Sequence, residues 1–224
     1  MQKIIIIGLG GIGSALIEPL VRFTQFNKPC EFLLIDGDLY ERKNRNRQRV
    51  ISNEINRSKA DVWKLRITQG FYSVQVNSVR EYITPLNIKR YIKENDIVMM
   101  CVDNYATRKL VQEHCSRLRT VTLISGGNDY TDGNVQVFRK ERGRILSAPI
   151  TTHHPEIEFP EDKRPDEIGC DEKVTSDPQL LFANFTVASL MLNAYYAIIN
   201  NQLNYTETYF DIISNKTKTF RREV

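Results

Sequence analysis

A β-branched run that ends in a glycine-rich turn constrains the fold of this chain more than any other feature. Lys3–Ile7 contains four consecutive isoleucines, and GLGGIG (8–13) follows directly. This spacing satisfies G-x-G-x-x-G between a predicted strand and a helix predicted at about Ile12 to Thr24. Glycines allow a tight turn, and the unpaired N–H groups of the next helix can bind a phosphate. The turn therefore predicts a nucleotide site at Gly8, Gly10, Gly11 and Gly13.

Strand and helix signals alternate through the first 125 residues. Further strands are predicted at Glu31–Ile35, Gln75–Val79, Ile97–Cys101 and Thr120–Ser125, and the longer helices between them at Ser58–Phe71 and Tyr105–Leu118. Such alternation favours right-handed βαβ units and a parallel sheet that is covered on both faces. The sequence therefore predicts an α/β, doubly wound, mostly parallel Rossmann-like sheet.

The pattern changes after residue 125, where we expect antiparallel strands to extend the sheet. Asp132-Gly133 is a hairpin-type dipeptide that leads into a strand predicted at Asn134–Arg139. Residues 141–178 are charged and show no period, which predicts an irregular crossover-type loop. Leu180–Asn200 is predicted as an apolar helix, and a hairpin follows it. We therefore expect a nucleotide-binding core at 1–140, the loop at 141–178, and a helix and hairpin at 179–224 that pack on the core.

Charge and cysteine content exclude several classes of function. The 224 residues carry a formal net charge of +4, and the basic segment Arg42–Arg49 lacks interleaved aromatics, so we expect no nucleic-acid partner. No uninterrupted apolar run approaches the roughly 20 residues that span a bilayer, and we expect a cytoplasmic protein with no membrane partner. The four cysteines, which form no C-x-x-C pair, predict no zinc site: Cys30, Cys101, Cys115 and Cys170.

Polar residues follow the predicted strands at the sheet edge where open α/β folds bind ligands. Asp36 lies 23 residues after the last glycine of the turn, where a carboxylate can accept hydrogen bonds from a ribose. Asp103 follows the fourth strand and can hold Mg²⁺ together with phosphate and water oxygens. Arg47 and Lys59 supply the cations that a triphosphate requires. These residues favour ATP over NAD, since the chain has little room for a second substrate domain; an NAD-dependent oxidoreductase is the alternative.

The ordered set of these motifs resembles the ThiF/MoeB adenylyltransferase superfamily, which includes the adenylation domain of ubiquitin-activating enzymes. The set consists of GLGGIG (8–13), DGD (36–38), Asn44, RQ (47–48), Lys59, CVDNYATR (101–108) and SGG…DGNVQVF (125–138). The resemblance implies an enzyme that binds ATP and Mg²⁺ and adenylates the C-terminal carboxylate of a ubiquitin-like or sulfur-carrier protein, releasing pyrophosphate. It also implies a homodimer. A peptide or small-molecule carboxylate as substrate, and a non-catalytic partner subunit, are alternatives.

The same resemblance implies the roles of individual residues. Arg47, Lys59 and Asp103 are the implied catalytic residues, with Mg²⁺ at Asp103. The implied nucleotide contacts are Gly8, Gly10, Gly11, Gly13, Asp36, Asp38, Asn44, Arg47, Gln48, Lys59, Asp103 and Asn104. Physical chemistry agrees, because attack of a carboxylate on the α-phosphorus brings two anions together and a carboxylate needs no general base at pH 7. Arg108 also fits the family pattern, and we expect a structural salt bridge there.

A cysteine in a mobile loop receives the activated protein in some members of the superfamily. Cys170 is the only cysteine in residues 141–178 and is a candidate acceptor thiol for a thioester or persulfide. Its neighbours Asp171 and Glu172 disfavour the thiolate, so an incidental loop cysteine is the alternative. Farther on, Gln179 and Asn184 form a Gln-x-x-x-x-Asn pattern before the apolar helix, which resembles stand-alone bacterial ThiF-like proteins.

Overall fold

One nine-stranded sheet organises the residues that the computed structural model describes, 1–168 and 179–222. The strands are β1 (Gln2–Ile7), β2 (Cys30–Ile35), β3 (Gln75–Val79), β4 (Ile97–Met100), β5 (Val121–Asn128), β6 (Asp132–Glu141), β7 (Arg144–Ile145), β8 (Glu207–Asp211) and β9 (Lys216–Phe220). The α-helices are α1 (Gly11–Asn27), α2 (Lys59–Gly70), α3 (Ile88–Tyr91), α4 (Tyr105–Arg117), α5 (Pro155–Glu158) and α6 (Leu181–Ile199). Short 3-10 helices lie at Arg42–Asn46, Ser52–Glu54 and Pro165–Glu167.

The strand order confirms the predicted fold class. It runs β3-β2-β1-β4-β5-β6-β8-β9, with β7 paired to β6. Strands β1 to β5 are parallel, and β6, β8 and β9 extend the sheet with antiparallel pairs. The order reverses at β1, which lies between β2 and β4. In an open α/β sheet, ligands bind outside the carboxyl ends of the strands at such a switch point.

Burial on both faces explains why β1 is a continuous apolar run. Ile4 and Ile6 belong to the core on the α1 and α6 side, whereas Ile5 and Ile7 belong to the core that includes Val111 of α4. All four isoleucines are buried. A central parallel strand has no solvent-facing side, so period-2 alternation of polar residues is absent from it.

The hairpin between β5 and β6 differs from the predicted one by a few residues. Asp132 and Gly133 are the first residues of β6, and Gly133 pairs with Asn128 of β5. The turn lies just before them, where the Asp129 N–H donates to the Asp132 carbonyl oxygen over 3.1 Å. A Cβ atom on Gly133 would lie 2.5 Å from the Gly127 carbonyl oxygen. Gly133 therefore serves close strand packing and not the turn itself.

Helix α6 carries much of the contact between the end of the chain and the sheet. Of the described helices it is the one that is long and apolar enough to cross a membrane, with a mean hydropathy of 1.4 over its best window. Ala183, Val187 and Met191 are nevertheless buried in the core beside α1 and the sheet. This is the packing of the core helix of a folded domain.

Candidate active site

A cleft of about 1730 Å³ opens at the carboxyl ends of the parallel strands. The glycine loop (residues 8–13), the segment after β2, the start of α2 and the residues after β4 form its floor and sides. The crossover segment (residues 146–168) contributes Pro155–Ile157 and Asp162 to the opposite wall. The residues predicted from the sequence that line the cleft are Gly8, Gly10, Gly11, Asp36, Asp38, Asn44, Arg47, Gln48, Lys59, Asp103 and Asn104. Gly13 lies behind them.

The glycine loop is shaped by close backbone contacts. Gly8 has φ +86°, and a Cβ atom there would lie 2.8 Å from the Cys101 carbonyl oxygen. A Cβ atom on Gly13 would lie 2.0 Å from the Gly8 carbonyl oxygen, so Gly13 allows α1 to pack on β1. Gly10 is the N-cap of α1 and supplies no side chain to cap it, and the first turn contains no acidic residue. The first N–H groups of α1 can therefore bind an anion.

Asp36 connects the glycine loop to the end of β2. Its Oδ2 accepts a hydrogen bond from the Leu9 N–H over 2.6 Å, and its Oδ1 accepts from the Asp38 N–H over 2.8 Å. Burial raises the pKa of Asp36 to about 6, although the nearby Lys59 charge opposes the rise. Each carboxylate oxygen keeps a lone pair after these bonds, so Asp36 can still accept from ribose hydroxyls.

Lys59 is held in the cleft by Asp38. Ser58 caps the helix that begins at Lys59, and the Lys59 Nζ lies 2.6 Å from Asp38 Oδ2. Burial alone would lower the pKa of Lys59, but the charges of Asp36 and Asp38 raise it above its ordinary value. Lys59 is therefore a cation at neutral pH despite being 6% exposed. Tyr82 donates a hydrogen bond to the other oxygen of Asp38, and no motif in the sequence pointed to this residue.

Arg47 and Gln48 line the cleft, and each has a side-chain atom without a hydrogen-bond partner in the described part of the chain. Asn44 is buried in the preceding 3-10 helix, where its Oδ1 accepts from the Glu41 N–H over 2.8 Å, so it shapes the segment. Gln48 is buried, and its Oε1 has no hydrogen-bond partner among the described residues. The Arg47 Nε is likewise without one. Buried polar atoms in this state favour a polar ligand.

The residues after β4 divide between the cleft and the packing of α4. Asp103 is exposed in the cleft and lies close enough to Lys59 to raise the pKa of that lysine. Asn104 caps α4, with its Oδ1 accepting from the Thr107 N–H over 2.8 Å. The crossover segment adds a second cap, because Asp162 accepts hydrogen bonds from the Tyr105 and Ala106 N–H groups over 2.7 and 2.9 Å.

Arg108 forms hydrogen bonds to neutral groups and not, among the described residues, the predicted salt bridge. It is buried, and its Nη1 donates to the Ser125 Oγ over 2.9 Å. Its Nη2 donates to the carbonyl oxygens of Val102 and Gly126, each over 2.7 Å. Its hydrogen-bond partners in the described part of the chain are thus one hydroxyl and two carbonyl groups. Arg108 ties the ends of β4 and β5 together, and a Cβ atom on Gly127 would lie 2.5 Å from Nη2.

The cleft offers the exposed carboxylate of Asp103 to a metal ion that a bound phosphate would share. Within residues 1–168 and 179–222, no group of three His, Cys, Asp or Glu residues could hold a metal by itself. Mg²⁺ commonly uses one or two carboxylates together with substrate phosphates and water, and Asp103 supplies one such carboxylate. Cys30, Cys101 and Cys115 are free and buried. Cys170 lies outside the described residues.

Sequence comparison relates the chain to known adenylyltransferases. The model of the ThiF family matches residues 1–224. The sulfur carrier protein ThiS adenylyltransferase of Escherichia coli is 30% identical over 125 residues, covering 55% of this chain and 48% of that protein. The adenylyltransferase and sulfurtransferase MOCS3 of Drosophila persimilis is 32% identical over 144 residues, covering 63% of this chain and 31% of that protein. The chain thus spans about a third to a half of these relatives.

Solved structures with a similar fold include E. coli MccB. A structure of MccB with ATP has a TM-score of 0.73 at 17% identity, covering 98% of this chain and 63% of that chain. A structure with succinimide has a TM-score of 0.74 at 18% identity, covering 99% of this chain and 64% of that chain. At these identities the likeness concerns the fold.

Proposed function

The chain belongs to the ThiF family, and we propose that it is an ATP-dependent adenylyltransferase. Its substrate in this proposal is the C-terminal carboxylate of a small ubiquitin-like or sulfur-carrier protein. Relatives are named for adenylyltransferase activity, one of them on ThiS. A peptide carboxylate is the second candidate, because MccB has been solved with both ATP and MccA. The activity, the substrate and the partners of this chain are all part of the proposal.

One observation carries the proposal. A buried lysine cation, an arginine and an exposed carboxylate lie in the same cleft as the N-terminus of α1. These are Lys59, Arg47 and Asp103. A polyphosphate needs cations and N–H donors, whereas its metal ion needs a carboxylate, and the cleft offers all three. The same three side chains argue for a catalytic protein over a non-catalytic partner subunit.

The proposed reaction joins two anions. A carboxylate oxygen of the substrate attacks the α-phosphorus of ATP, the bond from that phosphorus to the bridging oxygen breaks, and pyrophosphate leaves. The products are an acyl adenylate and pyrophosphate, and no proton has to be removed from the ionised carboxylate. Arg47 and Lys59 lower the repulsion between the reacting groups. Mg²⁺ bound at Asp103 would add further neutralisation of phosphate charge.

The test of this function is exchange of labelled pyrophosphate into ATP. The probes are purified small carrier proteins that end in Gly-Gly and a synthetic peptide with a free carboxylate. Arg47→Ala should reduce exchange by about 10²- to 10³-fold, as for loss of one donor that stabilises developing charge. The matched control is Arg45→Ala, because Arg45 is an exposed neighbour that contacts Ser52. It should leave exchange within about twofold of wild type.

Two results would contradict the proposal. A thermal shift with NAD but none with ATP and Mg²⁺ would favour the NAD-dependent oxidoreductase. Wild-type protein that binds ATP but exchanges no pyrophosphate with any of these probes would favour a non-catalytic nucleotide-binding subunit.

We also propose a cytoplasmic homodimer. Support for a reducing compartment is that Cys30, Cys101 and Cys115 are free thiols. Support for the dimer is the exposed aromatic surface of α6, where Phe182 and Phe185 are 64% and 52% exposed.

The proposed transfer to Cys170 is separable from adenylation. Cys170→Ser should leave pyrophosphate exchange intact and abolish a reductant-sensitive adduct with the carrier, and persistence of that adduct would make Cys170 an incidental loop cysteine.

A further inference from the structure

Asn184 is a fully buried amide, and neither of its polar atoms is hydrogen-bonded to residues 1–168 or 179–222. It lies in the first turn of α6 with 0% of its surface exposed. Neither its Nδ2 nor its Oδ1 has a hydrogen-bond partner within the described residues. Burial of an unpaired amide costs free energy, and an apolar residue of similar size would avoid this cost. An amide in this state favours a polar contact that forms when a ligand binds.

The position of Asn184 points to the glycine loop. Helix α6 packs beside α1, and a Cβ atom on Gly11 would lie 2.2 Å from the Nδ2 and 2.7 Å from the Oδ1 of Asn184. The amide thus lies against the Gly11 Cα, at the first residue of α1. Gln48 borders the loop on the cleft side, and its Oε1 is also buried without a described partner. Two amides with unused atoms therefore flank a helix N-terminus that has no side-chain cap.

We propose that Asn184 is a positioning residue for the polyphosphate of ATP. When an anion binds, the Asn184 Nδ2 donates to the Gly10 carbonyl oxygen, which keeps a lone pair beside its bond from the Ser14 N–H. This bond fixes the Gly10–Gly11 peptide so that the first N–H groups of α1 face the phosphates. The inference rests on the proposed function, because it concerns how the same site binds ATP. Asn184 acts through the loop and not by direct contact, since the side chain lies behind Gly11 and does not line the cleft.

This assignment extends the nucleotide site beyond residues 1–140. Asn184 is one half of the Gln-x-x-x-x-Asn pattern, and the other half, Gln179, lines the cleft. Gln179 lies just before α6, and Asn184 lies in the first turn of α6, which packs on α1. The pattern thus places one polar residue at the cleft and one behind the glycine loop.

The experiment compares binding of ATP with Mg²⁺ and binding of adenosine, with melting temperature measured separately. Asn184→Leu should keep or raise the melting temperature of the free protein, because an unpaired buried amide is removed. The Kd for ATP should rise about tenfold, the loss expected for one or two hydrogen bonds. The Kd for adenosine, which has no phosphate, should stay within about twofold. A merely structural residue would change the melting temperature without separating the two ligands.

Two further variants keep the test decisive. Asn184→Ala removes the amide without adding bulk, and it should weaken ATP binding equally even though its melting temperature falls. Asn193→Ala changes an exposed asparagine on the same helix and should alter neither ligand. The inference is overturned if ATP affinity stays within about twofold of wild type, or if ATP and adenosine weaken together. Wild-type protein that binds no ATP overturns the proposed function, and this inference with it.

Discussion

At the scale of single residues, the carboxyl groups of Asp36 and Asp38 are close in sequence but have opposite pKa shifts in the cleft. Asp38 faces Lys59 directly, and the lysine charge lowers the pKa of Asp38 despite burial. Asp36 is more deeply enclosed, and burial raises its pKa to about 6. Asp38 therefore stays ionised beside Lys59, whereas Asp36 changes its charge near pH 6, close to the pH at which many enzymes work.

If Asp36 binds the ribose as proposed, its raised pKa predicts that nucleoside binding depends on pH. Above about pH 6 the group is a carboxylate that can accept from ribose hydroxyls, and below that value it carries a proton and loses acceptor capacity. Adenosine affinity should therefore fall as pH is lowered from 7.5 to 5. We expect Asp36→Asn to bind weakly at every pH in this window and to show a flat profile. Titration calorimetry with adenosine measures both, and a flat wild-type profile would contradict the assignment.

At the scale of elements, the crossover segment is attached to the fold at both ends. Near its start, His154 contacts Glu156 over 2.9 Å and forms an ion pair with Glu207 of β8. Near its other end, Asp162 caps α4 as described above. Glu207 also accepts a hydrogen bond from the Arg222 Nε over 2.6 Å, so the interaction extends to a residue just after β9. The segment over the cleft is thus tied to α4 and to the C-terminal hairpin.

Stability should depend on pH through this anchor. Burial would raise the pKa of Glu207, but hydrogen bonds from His154 and Arg222 lower it to about 2, so its contribution is present above about pH 4.5 and is lost as pH falls towards 2. Burial would lower the pKa of His154, but Glu207 and Glu156 raise it, so its contribution is present below about 6.5 and is lost as pH rises through the raised value. Both contributions are therefore complete between about pH 4.5 and 6.5.

Glu207→Gln tests this anchor. The variant should lower the free energy of unfolding by about 1.5–3 kcal/mol, because buried His154 loses one of its two carboxylate partners and half-buried Arg222 loses its own. The difference from wild type should be largest near pH 5.5 and smaller at pH 9. Glu156→Gln is the control; the Glu156 side chain is 43% exposed, so its loss should cost less than about 1 kcal/mol. Urea unfolding at several pH values measures the free energy of unfolding of both variants. Equal losses of this free energy would show that the buried Glu207 stabilises the fold no more than the exposed Glu156.

At the scale of the whole molecule, α1 and α6 lie side by side and present aromatic rings to solvent. Phe26 of α1 is 79% exposed, and Tyr196 of α6 is 52% exposed. The Tyr196 ring lies 6.0 Å from the Phe23 ring, in an edge-to-face arrangement. Phe182 and Phe185 are also exposed, so α6 carries exposed aromatic side chains near both of its ends. A surface with exposed aromatic side chains is typical of an interface between proteins.

The proposed homodimer places this surface at the subunit interface. Phe185→Glu introduces a charge at an exposed position of α6, so it should convert a dimer to a monomer while the monomer keeps its fold. Sedimentation velocity measures the assembly, and circular dichroism checks the fold. Tyr130→Glu, which changes an exposed aromatic far from α6 in the sequence, should leave the assembly unchanged. Sedimentation of the wild-type protein as a monomer would contradict the proposed homodimer.

Much of the fold and of the site could be predicted from the sequence, because both depend on local patterns. The isoleucine run of β1 and the glycine turn after it specify a central strand followed by a helix. Since parallel strands end at one edge of a sheet, the residues that follow β2 and β4 had to converge, and Asp36, Lys59 and Asp103 do so. The turn before β6 was misplaced, because Gly133 serves a strand contact that only the packed sheet contains.

The remaining features depend on contacts between distant parts of the chain. Asp162 meets the start of α4 from 57 residues away in the sequence, and His154 meets Glu207 from 53. Asn184 reaches Gly11 because α6 packs on α1, and no local propensity encodes that pairing. The sequence by itself determined the sheet core and the residues that line the cleft, because strand period and turn chemistry are local. Only the tertiary structure decided what covers and supports the cleft, because that depends on the path of the crossover segment and the docking of α6.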